Sequence, residues 1–169
     1  MSTTTTTSRN GVALSPRVRD AIGLLARLVL GVTLVVAGAL KVTAPHTSAR
    51  AVQAYQLLPF DVAAYIGYGL PIVEIIVGVL LVLGLFTRFS AVVGSLLMVA
   101  FIIGIASAWA RGLSIDCGCF GNGGTIAAAQ TQYPQEIARD AGLLLCGLWL
   151  VIRPRTMFGL ERTLFGNER

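Results

Sequence analysis

The chain has 169 residues, of which 55% are hydrophobic and only 12% charged, with a formal net charge of +5. Soluble domains carry about 25% charged residues, so the composition excludes an ordinary water-soluble fold, and the length suits one compact domain. The excess cations lie at the ends of apolar segments rather than on one recognition element, which argues for membrane anchoring and against nucleic acid.

In chain order, residues 1–20 open with the Thr-rich tract Met1 to Ser8, which has no apolar period. They are expected to form a disordered cytoplasmic tail. The first apolar run, about 21–40, is longer than the 7–15 residues of a signal-peptide core, so it reads as a retained helix despite the Ala37-Gly38-Ala39 that ends it. Arg27, Gly31, Gly38 and Lys41 share one face of that helix at 100° per residue. In the next segment, Val42 to Asp61, Thr47 or Ser48 is placed to cap a short helix after Pro45. Ala51, Val52 and Tyr55 would form its apolar side, lying on the membrane or closing over the outer loop described below. The second run is about 62–84 and the third about 90–110, where Ala100, Gly104 and Ala108 recur as small contact residues. The fourth, about 137–152, is marginal in length and starts with Arg139 and Asp140 at headgroup level. Residues 153–169 form a basic tail. The expectation is an all-α integral membrane four-helix bundle over 21–152. Runs of about 20 residues cross a ~30 Å core at 1.5 Å per residue.

Orientation follows from the cations. With the N-terminus inside, the inner face holds Arg9, Arg17, Arg19, Arg27, Arg88, Arg153, Arg155, Arg162 and Arg169. The outer face holds Lys41, Arg50, Arg111 and Arg139. The positive-inside rule favours this arrangement, with both termini cytoplasmic in the plasma membrane.

Two features carry chemistry. Glu74 lies about twelve residues into the second run, near mid-bilayer. An ionisable residue there needs a partner inside the bundle, and Arg27, at a similar depth on the first helix, is the expected one. Pro71, one turn earlier, frees a backbone carbonyl. The second feature is Asp116-Cys117-Gly118-Cys119-Phe120-Gly121, in the polar loop after the third run. In the expected orientation it faces outward, where disulfides persist. Two residues apart, Cys117 and Cys119 come within disulfide range with a turn at Gly118. A ring that small is strained and suits exchange better than stapling. Asp116 disfavours the thiolate of Cys117 by like charge, so Cys119 is the expected attacking thiol, unless Arg111 folds back to offset it. His46 is the only histidine. With Cys117 and Cys119 it makes three ligands, and Asp116 would complete the four that zinc uses, but Cys-x-Cys with a distant histidine is a weak zinc pattern, so redox chemistry rather than a metal is expected. Cys146, deep in the fourth run, reads as a packing residue.

The chain resembles the DoxX-like superfamily of membrane proteins, and its MauE branch in particular. The resemblance rests on Arg27-Leu28-Val29-Leu30-Gly31, Ala37-Gly38-Ala39-Leu40-Lys41, Ala54-Tyr55-Gln56-Leu57-Leu58-Pro59, Leu70-Pro71-Ile72-Val73-Glu74, Gly84-Leu85-Phe86-Thr87 and the Cys-Gly-Cys loop. It implies a redox-associated membrane protein, linked to methylamine utilisation, working beside a thioredoxin-like extracytoplasmic partner. On that reading Cys117 and Cys119 exchange disulfides, with Asp116, Lys41, Arg111 and His46 in support on the outer face. A quinone near Glu74 is a candidate electron carrier that no residue pattern demands. The competing readings are a non-catalytic anchor or assembly factor of a redox complex, and a small transporter with Glu74 as proton carrier.

Overall fold

A computed structural model describes residues 15–118, 123–125, 127 and 131–153. It contains five helices: α1 (Pro16–Val42), α2 (Pro45–Ala54), α3 (Phe60–Leu83), α4 (Thr87–Ala110) and α5 (Tyr133–Ile152). Of these, α1, α3 and α4 are long and apolar enough to cross a membrane. Their outward surfaces are greasy: Leu25, Ile76 and Ile103 are all more than half exposed. Water would penalise such surfaces, whereas acyl chains do not.

Two expectations are corrected. Residues 16–20, expected in the tail, belong to α1, because Pro16 at the first helical position is preorganised for a helix start. The fold is not purely helical. Strands β1 (Ile115–Cys117) and β2 (Gly123–Thr125) form an antiparallel hairpin, with Cys117 opposite Gly123. Three-residue strands rich in glycine carry no alternating pattern to announce them.

Helix α1 packs on α3 and α5, and α4 packs on α5 and α3. The α1–α3 contact is backbone to backbone. A Cβ on Gly31 would lie 3.0 Å from the Gly78 carbonyl oxygen, and one on Gly38 would lie 2.7 Å from that of Pro71. Leu30, Leu34, Val77, Leu81, Met98 and Leu150 fill the space between the four long helices. On α4, Gly104 and Ala108 are buried as expected, while Ala100 is exposed. Gly84, at φ 69°, ends α3 in the left-handed conformation, and the Leu85 N–H reaches back to the Leu80 carbonyl.

Helix α2 forms where a short helix was expected, but Ser48 does not cap it. Its hydroxyl donates to the Gly67 carbonyl at 2.7 Å, across to α3. The reason is Pro71. A proline inside a helix supplies no N–H to the residue four before it, which here is Gly67. Ser48 fills that vacated bond, and the missing Cβ of Gly67 lets the α2 backbone approach closely.

Candidate functional site

Two polar centres sit at different depths. The deeper one lies between α1, α3 and α5. Lys41 Nζ meets Glu74 Oε1 at 2.5 Å, with the two side chains 5% and 0% exposed. The Lys41 ammonium also lies 5.2 Å from the centre of the Phe101 ring. Asp140, 2% exposed, accepts from Arg139 Nε at 2.9 Å. Lys41, Glu74, Arg139 and Asp140 line a cavity of about 20 Å³, closed by Leu34, Met98, Phe101 and Leu143 among others. That is room for about one water. Glu74 Oε2 and Asp140 Oδ2 are both buried without a hydrogen-bond partner among the described residues.

The expected Arg27–Glu74 pair is therefore corrected to Lys41–Glu74. The register explains it. Gly31 lies against Gly78 and Gly38 against Pro71, so the antiparallel helices bring Arg27 level with Val82. That is eight residues, about 12 Å, from Glu74 along α3. Side chains on a helix lean toward its N-terminus. Lys41 thus leans down toward Glu74, and Glu74 leans up toward Lys41. Arg27 is buried elsewhere, at 2% exposure near the C-terminal end of α3.

The second centre is built on the hairpin. Asp116 accepts a hydrogen bond from the Gly118 N–H at 2.8 Å, an Asx turn, and Gly118 adopts φ 68°. A glycine is needed there because L side chains rarely take that conformation. Three tyrosine and arginine contacts hold the hairpin in place. Tyr133, buried at the start of α5, accepts from the Ile115 N–H at 3.0 Å and donates to the Leu113 carbonyl at 2.5 Å. Tyr55, just beyond α2, donates its hydroxyl to the Cys117 carbonyl at 3.1 Å. Arg111 donates to the Tyr55 and Gln56 carbonyls. It thereby fixes the end of α2 instead of offsetting Asp116. Ile105, Ala108, Ile115 and Tyr133 form a small core of their own beneath the hairpin.

The Cys117 thiol does not stand alone. A sulfur of Cys117 and one carboxylate oxygen each of Asp116 and Glu136 lie within 4.8 Å of one another. The Cys117 side chain hydrogen-bonds Glu136, in the first turn of α5. Burial pushes the Glu136 carboxyl above the usual carboxylate range, and Asp116 and Asp140 push the same way, while Cys117 and Arg139 oppose. A structural zinc site closes with four ligands; the grouping among the described residues has three. His46 is not part of it, being bonded through Nδ1 to the Tyr68 hydroxyl at 3.0 Å. Cys119 lies outside the described residues. Glu136 is the site residue the sequence reading missed. An acid in a first helical turn ordinarily reads as a favourable dipole contact. Its only sequence signal is its spacing from Asp140, which puts both carboxylates on one face.

A family model described as methylamine utilisation protein MauE matches residues 19–153. The chain belongs to the MauE family. The match takes in both polar centres of this MauE-family chain, from Lys41 and Glu74 through the hairpin to Asp140. No curated protein and no solved structure matches it.

Proposed function

We propose that this MauE-family membrane protein, associated by its family with methylamine utilisation, takes part in thiol–disulfide exchange outside the cell. The four long helices form a membrane bundle with both termini cytoplasmic, and the hairpin faces outward in the plasma membrane. Cys117 and Cys119 are the exchanging pair, and the partner is a separate thioredoxin-like protein. The observation that carries this reading is the placement of Cys117. It sits on a braced hairpin at the end of the helices, one glycine from a second cysteine, with its side chain bonded to a carboxylate. Attack by a thiolate on a disulfide sulfur needs an accessible thiol with somewhere for its proton to go.

The test is the redox state of the pair in intact cells. Acid quenching, thiol tagging and gel electrophoresis should show a two-thiol shift that appears on adding reductant and disappears on removing it. Cys117→Ser should abolish the reversible shift and Cys146→Ser should not. A pair that stays reduced under oxidising growth would reject the reading.

A second reading has one observation in its favour. Glu74 and Asp140 line the same water-sized cavity, each with a carboxylate oxygen lacking a partner among the described residues, as a proton-carrying site would. Glu74→Gln that blocks proton-coupled uptake while leaving the thiol shift intact would favour it.

A further inference from the structure

We propose that Cys117 and Glu136 share one proton, and that Glu136 stores the proton that Cys117 gives up during exchange. The inference rests on the exchange reading above and names the residue that serves it. Three observations meet at this point. The Cys117 sulfur, the Glu136 carboxylate and the Asp116 carboxylate lie within 4.8 Å of one another. Glu136 is half-buried, and one of its oxygens, Oε2, has no hydrogen-bond partner among the described residues and is shielded from solvent. The hairpin cannot easily swing the thiol away, because Tyr55 holds the Cys117 carbonyl and Tyr133 holds both Ile115 and Leu113.

The charges around the dyad decide where the proton rests. From β1 comes the Asp116 carboxylate, partly satisfied by the Gly118 N–H. From α5 come Asp140, one turn below Glu136, and Arg139, which binds Asp140. From α1, Lys41 faces Asp140 but is bonded to Glu74. From the end of α2, Tyr55 presents a neutral hydroxyl, and from α4, Arg111 is spent on α2 carbonyls. Two carboxylates thus crowd one thiol, and Asp140 acts on Glu136 from one turn away, with Arg139 the cation beside them. Like charges at this spacing cannot all ionise together cheaply. Of the three, Glu136 is the one in contact with the thiol and without a fixed cation or backbone donor among the bonds described above. It is therefore the group best placed to take up the thiol's proton. When it does, its O–H can donate to a Cys117 thiolate.

The step balances as follows. The Cys117 S–H bond breaks, and its proton passes to Glu136. The thiolate forms a bond to one sulfur of the partner's disulfide, and that disulfide breaks. The departing partner thiolate takes the proton back from Glu136. Cys119 then attacks the Cys117 sulfur of the mixed disulfide, releasing the partner's second sulfur, which picks up the proton Cys119 lost. This chain's dithiol is oxidised to a disulfide and the partner's disulfide is reduced to a dithiol. The reverse direction uses the same positions. Sequence alone favoured Cys119 as the attacking thiol, because Asp116 stands beside Cys117. Glu136 moves that role to Cys117.

The experiment needs no partner, so its failure and that of the exchange reading are separable. The full-length chain carrying Cys119→Ser and Cys146→Ser is kept in membranes. Alkylation of Cys117 by a small neutral thiol reagent is timed from about pH 5 to about pH 10, a range spanning ordinary carboxyl and thiol titration. A shared proton gives two rises separated by a plateau, because the pair titrates in two macroscopic steps. Glu136→Gln should collapse them into one. At alkaline pH that variant should react roughly tenfold faster, one pKa unit's worth, because a neighbouring negative charge is gone. Glu136→Asp should keep two steps, closer together. Asp116→Asn should shift the profile without merging them, since Asp116 acts by charge alone. A single rise in the parent chain overturns the proposal even where Glu136→Gln fails to fold, and superimposable parent and Glu136→Gln profiles overturn it as well. A chain with two steps that never forms a mixed disulfide would leave proton sharing standing and remove the exchange reading.

Discussion

The buried Lys41–Glu74 pair and the Cys117–Glu136 pair at the hairpin are built from similar parts and differ in burial and support. Each sets a carboxylate against a proton donor. At Lys41–Glu74 both side chains are almost wholly buried, the contact is 2.5 Å, and the two helices that carry them are fixed by backbone-close packing. Each group gives the other a partner, and an unpaired charge at that depth is costly. At Cys117–Glu136 both groups are only partly buried, and the support is a short hairpin held by tyrosine hydroxyls. There the two groups are proposed to share one proton. On the proposed reading, depth and rigidity make one pair a structural lock and leave the other free to react.

The largest effect should come from breaking the deep pair. Glu74→Gln or Lys41→Met leaves an uncompensated buried charge or an orphaned donor and should destabilise by about 3–5 kcal/mol. The double variant Lys41→Met, Glu74→Leu should recover much of that loss. Thermal unfolding in detergent measures it. Arg27→Gln paired with Glu74→Gln should instead behave additively, because those residues stand at different levels; strong coupling between them would break the register given above.

Next comes the joint that lets Pro71 sit inside α3. Ser48→Ala leaves the Gly67 carbonyl buried and unsatisfied, for a cost of about 1–3 kcal/mol. Gly67→Ala should cost at least as much, because its Cβ would meet the α2 backbone. Equal unfolding temperatures for Ser48→Ala and the parent would show that the carbonyl finds another donor.

Smaller still, Tyr55→Phe should cost about 1 kcal/mol or less by removing one hydrogen bond to the Cys117 carbonyl. Its real signature is local: faster alkylation of Cys117 with little change in global unfolding. Equal losses in both would mean that the hairpin and the helices unfold as one unit.

The smallest effect is the pH dependence of hairpin docking. The Glu136 carboxyl is raised in the folded protein, chiefly by burial. A raised carboxyl favours the folded state at low pH, and the advantage is lost as pH rises through its folded titration. Protection of the hairpin amides against hydrogen exchange, after correction for intrinsic rates, should therefore fall between the ordinary glutamate range and that raised value. Glu136→Gln should remove the trend.

The three long apolar runs and the need of Glu74 for a partner were legible because hydrocarbon admits few solutions. The choice of partner was not. Lys41 and Arg27 share a helix face, and only the Gly31–Gly78 contact sets which of them stands level with Glu74. The bond from Ser48 to Gly67 was half legible: Pro71 announced an orphaned carbonyl, and nothing in the sequence named its donor. The hairpin and Glu136 were hidden for a different reason. Three-residue strands have no period to read, and Glu136 meets Cys117 only because Tyr133 ties the start of α5 to the hairpin.

The central claim is that the outer cysteines exchange with a partner, and trapping the mixed disulfide tests it most directly. Cells carrying Cys119→Ser, Cys117→Ser or Cys146→Ser are quenched in acid and run on non-reducing gels. With Cys117 as the attacking thiol, Cys119→Ser should accumulate a reductant-sensitive adduct with a thioredoxin-like protein, and Cys146→Ser should look like the parent. No adduct in any variant, with full activity retained when both Cys117 and Cys119 are replaced by serine, would contradict the account.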